Sequence, residues 1–296
     1  MEIGRISTAM VTPFSATGAI DFDRTAVLID HLIANGTDSL VVCGTTGESP
    51  TLTKKEKEEL LSFTIEKVNK RIPIIAGTGS NSTAESIEST LVAERAGADG
   101  IMLVTPYYNK PDQNGLYTHF STIAKETDLP VLLYNIPGRS VVNMTSETTI
   151  ALSKVKNIRA VKEASGNLEQ MASIISGTDA GFKVYSGDDS LTLPLLSIGG
   201  DGIVSVAAHI VGNEMQKMIS AFNEGRTKDA ASMHLALLPL FKELFTAPNP
   251  VPVKYALKKC NVNTGSVRLP LIGYEEDNKA FDKVWEKFKS TEHLFV

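Results

Sequence analysis

Short apolar runs alternate with longer amphipathic stretches along most of the chain. Runs rich in β-branched and aliphatic residues occur at Ser7–Thr12, Ser39–Cys43, Pro73–Gly77, Gly100–Thr105, Pro130–Ile136, Ile158–Glu163, Lys183–Gly187 and Gly202–Val206. Several are apolar at nearly every position, as expected of strands buried on both faces. Between them, helical periodicity predicts helices over Lys54–Asn69, Ala84–Ala96, Gly115–Glu126 and Asn213–Asn223. Thr53 with Glu56, and Ser82 with Glu85, have the spacing of capping boxes at two helix starts. The segments beginning Gly36-Thr-Asp, Gly97-Ala-Asp and Gly200-Asp-Gly each precede a strand, so a glycine at positive φ is expected to end the helix before it.

Eight strands, seven intervening helices and a helix after the last strand predict an α/β chain folded as a (β/α)8 TIM barrel. A doubly wound open sheet is the alternative, although it seldom repeats so evenly. The eighth unit ends near Gly225, which divides the chain into a catalytic barrel, residues 1–225, and a C-terminal helical appendage, residues 226–296. Helices are expected there at Thr227–Phe245, Pro252–Cys260 and Asp277–Lys289.

Composition narrows the function classes. The formal charge is −5 and the basic residues are scattered, which argues against nucleic acid as the main partner. No apolar run approaches the roughly 18 residues a membrane span needs, and the start, MEIGRISTAM, carries no apolar core of a signal peptide. Two cysteines, Cys43 and Cys260, are too few for a disulfide framework, so a cytoplasmic protein is expected. Cys43 is read as a small buried hydrophobe. The five histidines, His31, His119, His209, His234 and His293, are dispersed and no ligand-spaced cluster accompanies them, so no metal is expected.

In a barrel of this kind chemistry belongs at the carboxyl ends of the strands, where the unusual residues fall. The second strand runs into Gly44-Thr45-Thr46-Gly47-Glu48-Ser49, which suits either a plain turn or a hydroxyl-rich carboxylate cradle. It lacks the lysine of a phosphate-binding loop. The fourth strand ends in Thr105–Pro111 (TPYYNKP) with adjacent Tyr107 and Tyr108. The fifth places Tyr134 on the same face as Leu132, and Arg139 follows in a Pro-Gly turn, either solvated or clamping a carboxylate. Lys162 alternates with Val161 on the sixth strand and so faces inward. Such a lysine either snorkels to solvent or is buried with a lowered pKa, and a neutral buried amine is what Schiff-base chemistry on a keto acid needs. Hydroxyls, tyrosines, an arginine and a lysine thus converge from different strand exits on one end of the barrel.

These segments also carry a family resemblance. Gly44–Glu48 (GTTGE), Thr105–Pro111 (TPYYNKP), Tyr134–Arg139 (YNIPGR), Lys162–Asn167 (KEASGN), Gly187–Asp189 (GDD) and Gly202–Val206 (GIVSV) resemble the dihydrodipicolinate synthase family, as do Asn249–Lys254 and Arg268–Pro270. The resemblance runs from the first strand to the C-terminal helices. It implies a lyase that condenses pyruvate with L-aspartate 4-semialdehyde through a lysine Schiff base, in the diaminopimelate and lysine route, with no cofactor. Lys162 would form the imine, and Thr45 and Thr46 would hold the pyruvate carboxylate. Tyr134 would move protons, linked through Thr45 to Tyr108 of a neighbouring subunit, and Arg139 would bind the semialdehyde carboxylate. Gly187 and Val204 would line the pyruvate pocket, with Val204 standing where isoleucine is common.

A homo-oligomer follows from the shared tyrosine: a dimer or tetramer, most simply a dimer of dimers. The resemblance further implies a lysine-binding regulatory site near Ser49, Pro50, Asn81, Glu85 and Tyr107. Lys54 and Lys57 replace the histidines of strongly regulated members, so weak feedback is expected. Glu163 alternates to the outer face and is read as structural. Related readings remain: an N-acetylneuraminate-type lyase, from which Arg139 discriminates; a catalytically silent pyruvate-binding protein on the same scaffold; and a phosphate-binding barrel using Gly199–Gly202.

Overall fold

The computed structural model describes residues 3–274 and 277–295. Eight parallel strands close into a barrel in chain order: β1 (Ile6–Ala9), β2 (Ser39–Val42), β3 (Ile74–Gly77), β4 (Gly100–Val104), β5 (Val131–Asn135), β6 (Ile158–Glu163), β7 (Lys183–Ser186) and β8 (Gly202–Ser205), with β8 pairing back onto β1. Each strand boundary lies within one or two residues of the apolar run that predicts it, except that β1 ends three residues before Thr12. Closure leaves no exposed edge, which four- to six-residue strands of this kind would otherwise present.

Helices α1 (Phe22–Ala34), α2 (Lys54–Val68), α3 (Thr83–Ala96) and α4 (Gln113–Lys125) follow the first four strands. Short helices α5 (Pro137–Ser140) and α6 (Ser146–Leu152) both follow β5, and α7 (Leu168–Gly177), α8 (Thr192–Ser197) and α9 (Ala208–Asn223) follow β6 to β8. The last begins five residues before its expected start because a short turn from Ala208 is joined to the longer helix across a kink at the non-helical Val211. Most helices begin at a side-chain cap. Thr53 and Glu56 form the reciprocal box expected of them. At α3 only half the expected box exists: Ser82 accepts from the Glu85 amide, but the Glu85 carboxylate instead accepts from Ser80 Oγ at 2.8 Å. The third glycine signal is also shifted, since Gly199, not Gly200, holds positive φ (+96°); a Cβ on Gly200 would fall 2.3 Å from Leu195 Cγ.

Two apolar layers result. Outward-facing residues such as Leu40, Ile74, Leu103, Leu133 and Val161 pack under the helices. Inward-facing Ala9, Val41, Ile75, Met102, Leu132 and Ala160 fill the barrel, and the Tyr185 hydroxyl donates to the Gly4 carbonyl at 3.1 Å near the amino-terminal end. Beyond the eighth unit come α10 (Thr227–Glu243), α11 (Val251–Lys259) and α12 (Lys279–Lys289). Helix α10 packs on α9 and α12, while the stretch around α11 returns to the carboxyl end of the barrel. No helix among the described residues is long and apolar enough to cross a membrane.

Candidate active site

Register brings the central residues together. Tyr134 pairs with Lys162, so two neighbouring strands present these side chains side by side inside the barrel, whereas Tyr185, opposite Lys162 on β7, turns its hydroxyl to the Gly4 carbonyl. Lys162 shares its inward parity with Ala160, and its Nζ sits 4.1 Å from the centroid of the Tyr134 ring. Only 5% of Lys162 is exposed, which excludes the snorkelling alternative. Burial lowers its pKa to about 8, opposed by the negative charge of Asp189 and reinforced by the positive charge of Arg139. Burial raises the Tyr134 hydroxyl to about 12, against the pull of Arg139 and a hydrogen bond with Thr45. A protonated phenol and a readily deprotonated amine therefore stand in contact.

Space for Lys162 is made by a glycine. A Cβ on Gly187 would lie 2.5 Å from Ala164 Cβ and 3.1 Å from Lys162 Cε, so any larger residue would displace the lysine stem. Two residues further on, Asp189 is buried and accepts from Ser205 Oγ at 2.5 Å and from the amides of Val206 and Ala207 at 3.2 and 3.1 Å. Its pKa still rises to about 6 because burial outweighs those bonds. Glu163 faces outward, as alternation requires, and is saturated by Asn135, Ser165 and Gln170.

A cavity of about 250 Å³ opens beside this cluster, lined by Gly44, Thr45, Met102, Val104, Tyr134 and Arg139 and continuing past Ser49, Lys57, Glu85 and Tyr107. Thr46, Lys162 and Val204 are buried and Gly187 is half-buried, and none of the four lines the cavity. Cys43 also borders the cavity, but burial raises its thiol to about 12, which leaves it a protonated small hydrophobe. Tyr108 is not brought to Tyr134 within the chain: it is 90% exposed at φ +73°.

Among the residues expected to form a regulatory site, Ser49, Pro50, Lys57, Glu85 and Tyr107 share the cavity wall, and Asn81 Nδ2 donates to the Tyr107 carbonyl at 3.1 Å. Lys54 turns away and pairs with Glu88 at 2.5 Å. Among the described residues, no group of three or more His, Cys, Asp or Glu side chains is placed to hold a metal ion.

The threonine loop is fixed from a distance. Asn249 Nδ2 donates to Thr46 Oγ1 at 2.8 Å. Lys254 Nζ pairs with Glu48 at 2.7 Å, with both side chains at most 3% exposed, and donates to the Ser266 carbonyl. The Arg268 amide donates to Glu48 Oε2, while its guanidinium binds the Thr51 carbonyl and Glu56. These contacts were not readable from local pattern, although a lysine within the apolar run of α11 was the available signal.

Known proteins resemble this chain over nearly its whole length. The chain matches the dihydrodipicolinate synthetase family over residues 2–286. It belongs to that family. A 4-hydroxy-tetrahydrodipicolinate synthase from Bacillus velezensis is 58% identical over 279 residues, covering 94% of this chain and 96% of the relative. The crystal structure of dihydrodipicolinate synthase from Bacillus anthracis superposes with a TM-score of 0.94 at 50% identity, over 98% of this chain and 99% of that one. The synthase from Cyanidioschyzon merolae with lysine bound gives 0.92 at 46% identity, over 99% and 98%. Like its relatives, the chain is an enzyme, a lyase of the class I aldolase type.

Proposed function

We propose that this family member condenses pyruvate with L-aspartate 4-semialdehyde to give 4-hydroxy-tetrahydrodipicolinate, the first committed step of lysine and diaminopimelate synthesis in the cytoplasm. The observation that carries the reading is the buried Lys162 amine, lowered to about 8 and held against Tyr134, which hydrogen bonds with Thr45. Neutral Lys162 attacks the pyruvate carbonyl. The carbinolamine then loses water to give a protonated imine, with Tyr134 moving the protons. That imine is an electron sink, so the pyruvate methyl loses a proton and becomes an enamine carbon. The carbon attacks the aldehyde, and the amine of the semialdehyde displaces Lys162 as the ring closes. No metal or organic cofactor is required.

Thr45 and Thr46 hold the pyruvate carboxylate, Gly187 and Val204 shape its pocket, and Arg139 at the cavity wall takes the carboxylate of the semialdehyde. The exposure of Tyr108 supports its donation to a neighbouring subunit in a dimer or dimer of dimers. Pyruvate with borohydride is expected to add a pyruvate-derived mass to the peptide containing Lys162. Turnover is expected with pyruvate and aspartate semialdehyde but not with N-acetylneuraminate. Labelling of a different lysine, or preferential cleavage of N-acetylneuraminate, would refute the reading.

A further inference from the structure

Thr46 carries one hydroxyl proton, and its value to a bound carboxylate depends on where that proton points. The hydroxyl is buried, and its oxygen accepts a 2.8 Å hydrogen bond from Asn249 Nδ2, 203 residues away in the chain. A hydroxyl can donate once and accept through its lone pairs. Asn249 Nδ2 occupies one lone pair of the Thr46 oxygen, so the O–H cannot point at that nitrogen and is left to donate elsewhere. Asn249 is itself buried, and its Oδ1 has no hydrogen-bond partner among the described residues. Five residues on, Lys254 is locked into Glu48 at the far end of the same loop, and the Arg268 amide closes on the other Glu48 oxygen at 2.8 Å. Thr12 Oγ1 fixes the loop from a third side by donating to the Gly47 carbonyl at 2.6 Å. The loop is therefore clamped at Thr46, Gly47 and Glu48, and only the clamp at Thr46 acts on a hydroxyl.

We propose that Asn249 is a positioning residue for the keto-acid carboxylate: it holds the Thr46 hydroxyl as a donor, so that the segment after the barrel sets substrate affinity from outside the pocket. The inference rests on the reading that Thr46 holds that carboxylate. Asn249 touches no reacting atom. Its effect falls on pyruvate binding and leaves the chemistry of Lys162 as it is.

The test is the rate of cyanoborohydride trapping at Lys162, measured against pyruvate concentration in the full-length protein. Wild-type protein that gains no mass at Lys162 would remove the underlying reading before any variant is compared. Asn249→Ala is expected to raise the half-saturating pyruvate concentration about tenfold, with the maximal trapping rate within about threefold. Thr46→Val should do the same, and the double variant should be no worse than Thr46→Val alone, because both remove one interaction. Asn249→Asp, which keeps the shape but only accepts, should turn the Thr46 proton away from the site and weaken pyruvate more than Asn249→Ala does. It also serves if the alanine variant does not fold. An unchanged half-saturation, additive losses in the double variant, or an aspartate variant that binds pyruvate like wild type would each overturn the proposal.

Discussion

Replacing Asp189 by Asn is expected to lower the pH at which Lys162 becomes reactive. Burial holds this amine at about 8, so at pH 7 roughly one molecule in ten carries it neutral, compared with roughly three in ten thousand for an ordinary lysine. Asp189 works against that gain, because its carboxylate favours the ammonium form. With its own pKa near 6, it is mostly charged where Lys162 titrates. Removing about 1.4 kcal/mol of attraction, modest for two buried charges at an effective dielectric near 20, moves the midpoint by about one unit. The neutral fraction at pH 7 then rises from about a tenth to about a half. Asn retains one acceptor for Ser205 or the amides of Val206 and Ala207, so the turn after β8 keeps part of its anchor. Arg139→Ala has the opposite sign, since that guanidinium lowers Lys162; its loss should move the midpoint up. The assay is the initial rate of pyruvate-dependent cyanoborohydride labelling at saturating pyruvate, followed by intact mass between about pH 5.5 and 9.5 across the expected midpoint. A midpoint that stays put or rises in Asp189→Asn, with Lys162 still the labelled residue, would refute the electrostatic account. The same depression has a stability cost. Because the folded pKa lies below the unfolded one, stability rises with pH between about 8 and 10.5, and the full penalty of about 3 kcal/mol is present below that window.

Lys254→Met should destabilise the protein by about 3–5 kcal/mol, because it strands the Glu48 carboxylate in a buried site; a melting temperature at least 6 °C lower is the expected scale. Adding Glu48→Gln should recover part of that loss, and a double variant less stable than Lys254→Met alone would contradict the ion-pair account. L-Lysine is expected to inhibit weakly, with half-inhibition above about 1 mM. Of the two lysines expected to oppose it, Glu88 already neutralises Lys54, whereas Lys57 remains at the cavity wall near Glu85 and Tyr107. Inhibition well below that concentration would show that Lys57 does not disable the site.

What the sequence discloses about this molecule follows the range of the interaction concerned. Alternation with period two is local, so the inward facing of Lys162 and Tyr134 and the outward facing of Glu163 could be read from their neighbours. The barrel itself follows from short, nearly continuous apolar runs repeated eight times between helices. Lys54 shows where local reading begins to fail: its position in the first turn of α2 is plain, but Glu88 belongs to the next helix, and nothing in either segment announces the pair. Asn249 and Lys254 lie further still, some 200 residues from Thr46 and Glu48. Dividing the chain after Gly225 is natural by periodicity, since the repeating unit ends there. Yet the threonine loop takes its buried counter-charge and the hydrogen bond to its Thr46 hydroxyl from the far side of that division. The buried Glu48 carboxylate could not be left without Lys254. The stretch around α11, then, belongs with the carboxyl end of the barrel, because the loop that would meet the substrate carboxylate is braced by residues the barrel does not contain.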